Sequence, residues 1–148
     1  PGQIQRYMNK ISGPLLDRID IQIEITPVPF KDISKATQGE PSSTIRERVI
    51  RARRMQEERY KDIRGVYCNA QMSEKMIHRF AEPDTQGIEM LRLAMEKLSL
   101  SARAYSRILK VARTIADLAG SEHVQMEHLA EAISYRNLDR GDWAERGV

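Results

Sequence analysis

Cysteine is nearly absent from this chain of 148 residues: Cys68 stands alone. One thiol excludes an internal disulfide. With no Cys or His at ligand spacing around it, Cys68 has neither a metal site nor an activating partner, and a cytoplasmic setting is the expectation. Aromatic side chains make up 5% of the sequence. Leu, Ile, Met and Ala must therefore fill the core, a composition that favours helices. No apolar run approaches the roughly 18 residues of a membrane helix, and no signal-peptide pattern opens the chain. Of the three histidines, His78, His123 and His128, the last two are five apart; two ligands on one helix face need a spacing of four. No metal site is expected. The phosphate-cradling pattern Gly-x-x-x-x-Gly-Lys-[Ser/Thr] does not occur, so this stretch is expected not to hydrolyse ATP by itself. Charge of one sign is scarce too. The net +3, from 24 basic and 21 acidic residues, is too small to announce a nucleic-acid binder.

What remains is globular: 41% hydrophobic and 30% charged residues, enough for one ordinary domain with a core. The opening Pro1-Gly2-Gln3 reads as an internal point of a longer protein. Residues 1–30 form a first unit. Ile4, Tyr7, Met8 and Ile11 have helical spacing, Ser12-Gly13-Pro14 interrupts it, and Leu15 and Leu16 are expected to point inward from a short turn. Ile19, Ile21, Ile23 and Ile25 then alternate with polar residues, the pattern of a half-buried strand. A lone strand leaves its ladder unsatisfied, so this one is expected to pair with another copy, pack irregularly or be disordered. Residues 31–43 are rich in breakers and read as a linker.

Residues 44–138 read as an all-helical bundle. Thr44 with Glu47 suggests a capping box opening a helix to Lys61, with Ile45, Val49, Ala52, Gln56 and Tyr60 as its apolar stripe. A short helix follows Ser73, burying Met76, Ile77 and Phe80, and another spans 87–98. The clearest helix covers 102–119, capped by Ser101 and ended by Gly120. Arg103, Ser106, Arg107, Lys110, Arg113, Thr114 and Asp117 fall on its polar half. A last helix covers about 125–137, and 139–148 is a polar tail around Trp143. The fold class is thus mainly α, preceded by a helix-turn-strand piece.

Three groups of arginines are candidates for chemistry. Arg18 lies between Asp17 and Asp20. It is either a plain ion-pair partner of one of them or, on a tight turn at the mouth of a strand, a rigidly mounted cation able to reach a phosphate across a subunit boundary. Arginine keeps its charge and offers a planar fork of donors. Supplied in trans to a transferring phosphoryl group it contributes about 10³–10⁵ in rate, or roughly 4–7 kcal/mol. Arg103 sits in the first turn of its helix, where free N–H groups favour an anion, or is simply solvated; Arg107, one turn on, is the fallback. From Thr44 to Lys61 seven basic side chains face three acidic ones. Arg46, Arg48, Arg51 and Arg54 are candidates for nucleic-acid contact, but Arg46 and Arg54 lie on one flank of the apolar stripe and Arg48 and Arg51 on the other. A solvated helix explains them as well.

Residues 3–25, Gln-Ile-Gln-Arg-Tyr-Met-Asn-Lys-Ile-Ser-Gly-Pro-Leu-Leu-Asp-Arg-Ile-Asp-Ile-Gln-Ile-Glu-Ile, resemble the end of the ATPase core of magnesium-chelatase-like AAA+ proteins, in the wording of the ComM type. Leu100-Ser-Ala-Arg-Ala-Tyr-Ser-Arg-Ile-Leu-Lys-Val-Ala-Arg-Thr-Ile-Ala-Asp-Leu-Ala resembles the sensor-2 helix of that family, and Val124-Gln-Met-Glu-His-Leu-Ala-Glu-Ala-Ile-Ser-Tyr-Arg its last lid helix. The resemblance implies that Arg18 is an arginine finger, Arg103 a sensor-2 arginine, and residues 44–138 a helical lid. It also implies ATP and Mg²⁺ as ligands of a longer parent, a phosphate loop upstream, and work in a ring, commonly a hexamer, on DNA. Two rivals stand beside this: a magnesium-chelatase motor subunit, and a non-enzymatic helical nucleic-acid-binding module.

Overall fold

The computed structural model describes residues 10, 12–16, 18–23, 25, 27, 28, 30, 39–98 and 100–136. The expected helix before Ser12, Asp17, most of the linker and the polar tail with Trp143 lie outside these residues. The described chain is helical and contains no strand. After a single helical turn at Gly13–Leu16 come α1 (Ser42–Tyr60), a 3-10 turn (Asn69–Gln71), α2 (Glu74–Phe80), α3 (Thr85–Lys97), α4 (Ala102–Leu118) and α5 (Met126–Ser134).

The centre is α4. It touches α1, α2, α5 and the 3-10 turn, while α3 joins the bundle through α5. Its apolar residues Ile108, Leu109, Ala112 and Ala116 are buried and meet Tyr60 of α1, Ile77 of α2, Leu91 of α3 and Leu129 of α5 in one core. Each fully buried Leu or Ile contributes about 1.5–3 kcal/mol. Tyr60 and Phe80 pack edge to face at 5.6 Å.

The helix ends follow local chemistry. Ser101 Oγ accepts the Ala104 N–H at 3.2 Å and opens α4. At its far end Gly120 adopts φ +72°; the Gly120 N–H reaches Asp117 O and the Ser121 N–H reaches Ala116 O at 2.8 Å, a Schellman closure that needs the left-handed residue. Asp84 caps α3 by accepting from Gly87 N–H at 2.8 Å. In α5 the His128 Nδ1 accepts from Gln125 N–H at 3.0 Å, half of a reciprocal cap.

Two expectations are corrected. The capping box of Thr44 and Glu47 does not form: α1 starts two residues earlier, at Ser42 behind Pro41, and Thr44 N–H already donates to Pro41 O at 3.1 Å. A residue inside the first turn cannot also cap it. Ser42 and Ser43 thus belong to the helix and not to the linker. At the N-terminal turn, Leu15 is half exposed rather than inward; backbone bonds from Leu15 N–H to Ser12 O and from Arg18 N–H to Leu15 O shape the turn instead.

The alternating segment packs irregularly. Ile21, Ile23 and Ile25 are 50%, 65% and 88% exposed. The bond holding it to the bundle by its backbone N–H runs from Gln22 to Tyr135 O at 2.9 Å. Period-2 alternation supplies the propensity for a strand, but a strand exists only where a neighbour completes the ladder.

Candidate functional site

A cavity of about 730 Å³ opens along one side of α4, between the segment around Asp20 and Ile21 and the end of α5. Arg103, Arg107 and Lys110 stand on its α4 wall, spaced so that they share one helix face. Ile21 supplies apolar surface from the segment across the cavity, and Val111 and Ile115 from α4 itself. Two of the three cations are already engaged. Lys110 Nζ donates to Ala70 O at 2.9 Å, and Arg107 Nη1 makes a close ion pair with Asp20 Oδ1. Glu74, also on the wall, accepts from Ser106 Oγ at 2.8 Å. Arg103 is exposed and has no hydrogen bond or ion pair among the described residues. It sits in the first turn of α4, where unpaired N–H groups add a positive field. The uncommitted donor in this cavity is therefore a guanidinium at a helix start, an arrangement suited to an anionic group such as a phosphate.

Arg18 is exposed on the turn that precedes this wall, and it is not part of the cavity lining. Asp20, one of the two carboxylates that could have neutralised Arg18, is instead bonded to Arg107 across 87 positions of sequence. Arg18 makes no ion pair among the described residues. The stretch after it is held in place. Arg136 Nη1, buried at 1% exposure, donates to Ile19 O at 2.8 Å, beside the Gln22–Tyr135 bond.

The α1 arginines are dispersed. Arg48 is bound at both guanidinium ends by Glu40, at 2.6 and 2.9 Å. Arg46, Arg51 and Arg54 are exposed without a partner among the described residues.

Arg113 and Asp117, expected on the solvated half of α4, are buried at 1% exposure each. The cause is α1, which covers that side. Asp117 accepts from Arg59 at 2.8 Å on one oxygen and from Arg113 Nε at 3.1 Å on the other. Arg113 also donates to the Ser121 and Glu122 carbonyls at 2.6 and 2.8 Å. Asn69 on the 3-10 turn completes the cluster. Its amide donates to Asp117 at 2.8 Å, and its Oδ1 accepts from Tyr60 OH at 2.7 Å. Burial alone would pull Arg59 down, but the Asp117 carboxylate outweighs it and the guanidinium lies above its ordinary value. For Arg113 burial prevails over Asp117 and the value is lowered; burial likewise raises the Tyr60 phenol. Both arginines stay charged at any physiological pH. This cluster joins three elements and faces the core, so its work is structural. The spacing of Arg113 and Asp117, one helical turn, signals an ion pair but carries no sign that the pair is buried.

No group of three His, Cys, Asp or Glu side chains among the described residues is placed to hold a metal ion. His78 lies 3.5 Å from Glu82, and Cys68 Sγ is 3.7 Å from Gln71 Oε1. The donors present fit the phosphate part of a nucleotide and not its metal. No helix of the described residues is long and apolar enough to cross a membrane.

Comparison with known proteins accounts for both parts of the chain. The family described as "Magnesium chelatase, subunit ChlI C-terminal" matches residues 39–136, and "Magnesium chelatase, subunit ChlI" matches residues 1–33. Over 141 residues, 95% of the chain, it is 43% identical to Competence protein ComM of Haemophilus influenzae and 40% identical to the uncharacterized protein YifB of Escherichia coli. An uncharacterized protein of Mycobacterium tuberculosis is 36% identical over 132 residues, or 89% of the chain. The chain spans about a quarter of these relatives, 27% of the first two and 26% of the third.

Proposed function

The chain belongs to the magnesium chelatase ChlI family, and on that premise we propose that it is the lid-bearing C-terminal part of a ComM-type AAA+ ATPase. In this reading residues 1–30 end the ATPase core, the linker expected over 31–43 gives way to α1 at Ser42, and the lid runs from α1 to about residue 138. Arg103 contacts the ATP of its own subunit. Arg18 reaches the ATP of the next subunit in a ring, commonly a hexamer. The ATP and Mg²⁺ are bound by upstream parts of the parent, which acts in the cytoplasm on DNA. The observation that carries the reading is the uncommitted guanidinium of Arg103 at the start of α4, in a cavity whose rim is the segment bearing Arg18. An arginine that senses bound phosphate must be free of internal partners, and Asp20, one of the two carboxylates beside Arg18, is taken up by Arg107.

What this chain's residues do follows from charge. As negative charge shifts onto the transferring phosphoryl oxygens, a guanidinium already at the seam stabilises it without reorganisation. The test uses the full-length protein. Arg18→Ala is expected to lower the ATPase rate by about 10³-fold or more while rings still assemble. Arg103→Ala is expected to weaken ATP binding. An unchanged rate for Arg18→Ala removes the finger. The relative called Competence protein ComM favours DNA as the substrate over a metal-inserting partner; stimulation of the ATPase by DNA, and not by porphyrin-pathway proteins, separates the two.

A further inference from the structure

Of the four residues after Arg18, Ile19, Asp20 and Gln22 are bonded to α4 and to the turn that follows α5 in their own chain. Arg136, in that turn, donates to Ile19 O at 2.8 Å. Asp20 pairs with Arg107 of α4. Gln22 N–H donates to Tyr135 O at 2.9 Å. The partners come from positions 87 to 117 residues away in sequence. Arg136 is 1% exposed, and it follows by two residues the end of a helix whose Leu129 and Ala132 sit in the core. A buried guanidinium cannot leave its acceptors without a large penalty, so its place relative to α5 is fixed. Among the described residues of the segment, Ile21, Ile23 and Ile25 are exposed and add little burial to these bonds. Its position is therefore set by the lid.

We propose that Arg136 is a positioning residue that makes the Arg18 turn move with the lid, so that the state of a subunit's own ATP site sets the reach of its arginine toward the neighbour's site. The claim rests on the roles proposed above for Arg18 and Arg103. Arg107, which holds Asp20, lies one helical turn from Arg103. A shift of α4 on phosphate contact is thus passed to a residue two positions from Arg18 over a path of one ion pair. Arg136 and Tyr135 supply the second attachment, which turns a tether into a rigid coupling.

The experiment uses the full-length protein and Arg136→Lys, which keeps the charge but loses the planar fork. Two quantities are read: hydrogen exchange at the Gln22 amide, and the Hill coefficient of ATP hydrolysis. In the unmodified protein the Hill coefficient is expected to exceed about 1. In Arg136→Lys the Gln22 amide is expected to exchange roughly tenfold faster or more, a change of about 1.4 kcal/mol, with the amides of Ala112 and Ala116 unaltered. The Hill coefficient is expected to fall to about 1 with KM for ATP unchanged. A merely structural role would slow turnover or lower stability without removing cooperativity. A Gln22 amide that does not speed up overturns the proposal, as does retained cooperativity in the presence of a released amide, or its absence from the unmodified protein. Should Arg136→Lys fail to assemble, Asp20→Asn removes the other attachment and is judged by the same two readings. Failure of the underlying roles is seen separately, as an Arg18→Ala protein with undiminished ATPase activity.

Discussion

At the scale of single residues, Asp117 matters most to the fold. It carries one negative charge between two guanidinium groups and has no exposed side-chain surface. Asp117→Ala leaves Arg59 and Arg113 facing each other with Asn69 half satisfied. Removing one partner of a buried pair costs about 3–5 kcal/mol, which for a domain of this size lowers the melting temperature by about 10 °C. Arg59→Met is expected to cost less, because Arg59 keeps 13% of its side chain in solvent and Asp117 retains Arg113. Urea unfolding followed by far-UV circular dichroism ranks the two; an Asp117→Ala chain as stable as the parent would mean that the cluster contributes nothing. The cluster was not readable from the sequence. Helical angles assign Arg113, Thr114 and Asp117 to the face opposite the apolar stripe, and that assignment holds only if nothing else lies there. The covering comes from α1, more than fifty positions away, and periodicity within one helix carries no information about it. The place of Arg103 in the first turn of α4 was readable because its cue is local, a capping serine two positions before it.

At the scale of elements, the meeting of α3 and α5 depends on Gly87. A Cβ there would come 2.7 Å from Pro83 Cβ and 2.8 Å from Leu129 Cδ1. In an exposed helix, Gly→Ala gains about 1 kcal/mol from propensity. Here Pro83 is fixed by its ring and Leu129 is a core residue with no exposed surface, so neither yields cheaply. Gly87→Ala is expected to destabilise by about 1–3 kcal/mol, read as a lower urea midpoint at unchanged slope. A rise in the midpoint would show that α3 shifts freely on α5. The helices themselves were legible because each repeats its own apolar period and carries its own stop, such as Gly120 after α4. The segment 19–25 shows the opposite case. Its alternation is as regular as any helix in the chain, yet the backbone pairing of a strand is supplied from outside the strand, and among the described residues the helical bundle meets it with isolated bonds such as Gln22 N–H to Tyr135 O.

At the scale of the whole molecule, charge decides between a lid and an autonomous nucleic-acid-binding module. The net +3 is small for 148 residues and comes from the stretch 44–61, where two of the α1 arginines are paired with carboxylates. Arg48 is closed by Glu40, and Arg59 faces Asp117. Arg46, Arg51, Arg53 and Arg54 remain exposed, but the equally exposed Glu47, Glu57 and Glu58 stand among them on the same half of the helix. Four cations interleaved with carboxylates can neutralise at most about four phosphates, which gives a salt slope no steeper than about −3.6 in a plot of log affinity against log salt. The chain alone is therefore expected to bind a short duplex DNA no tighter than about 10⁻⁶ M at roughly 50 mM salt, measured by fluorescence anisotropy. The combined variant Arg46→Gln, Arg51→Gln, Arg54→Gln should change this little. Nanomolar binding with a slope near about −6 that the triple variant abolishes would establish α1 as a phosphate-tracking surface. If affinity for DNA appears only in the full-length ring, many such weak lids act together, since subunits held at one duplex raise one another's effective concentration without any new contact.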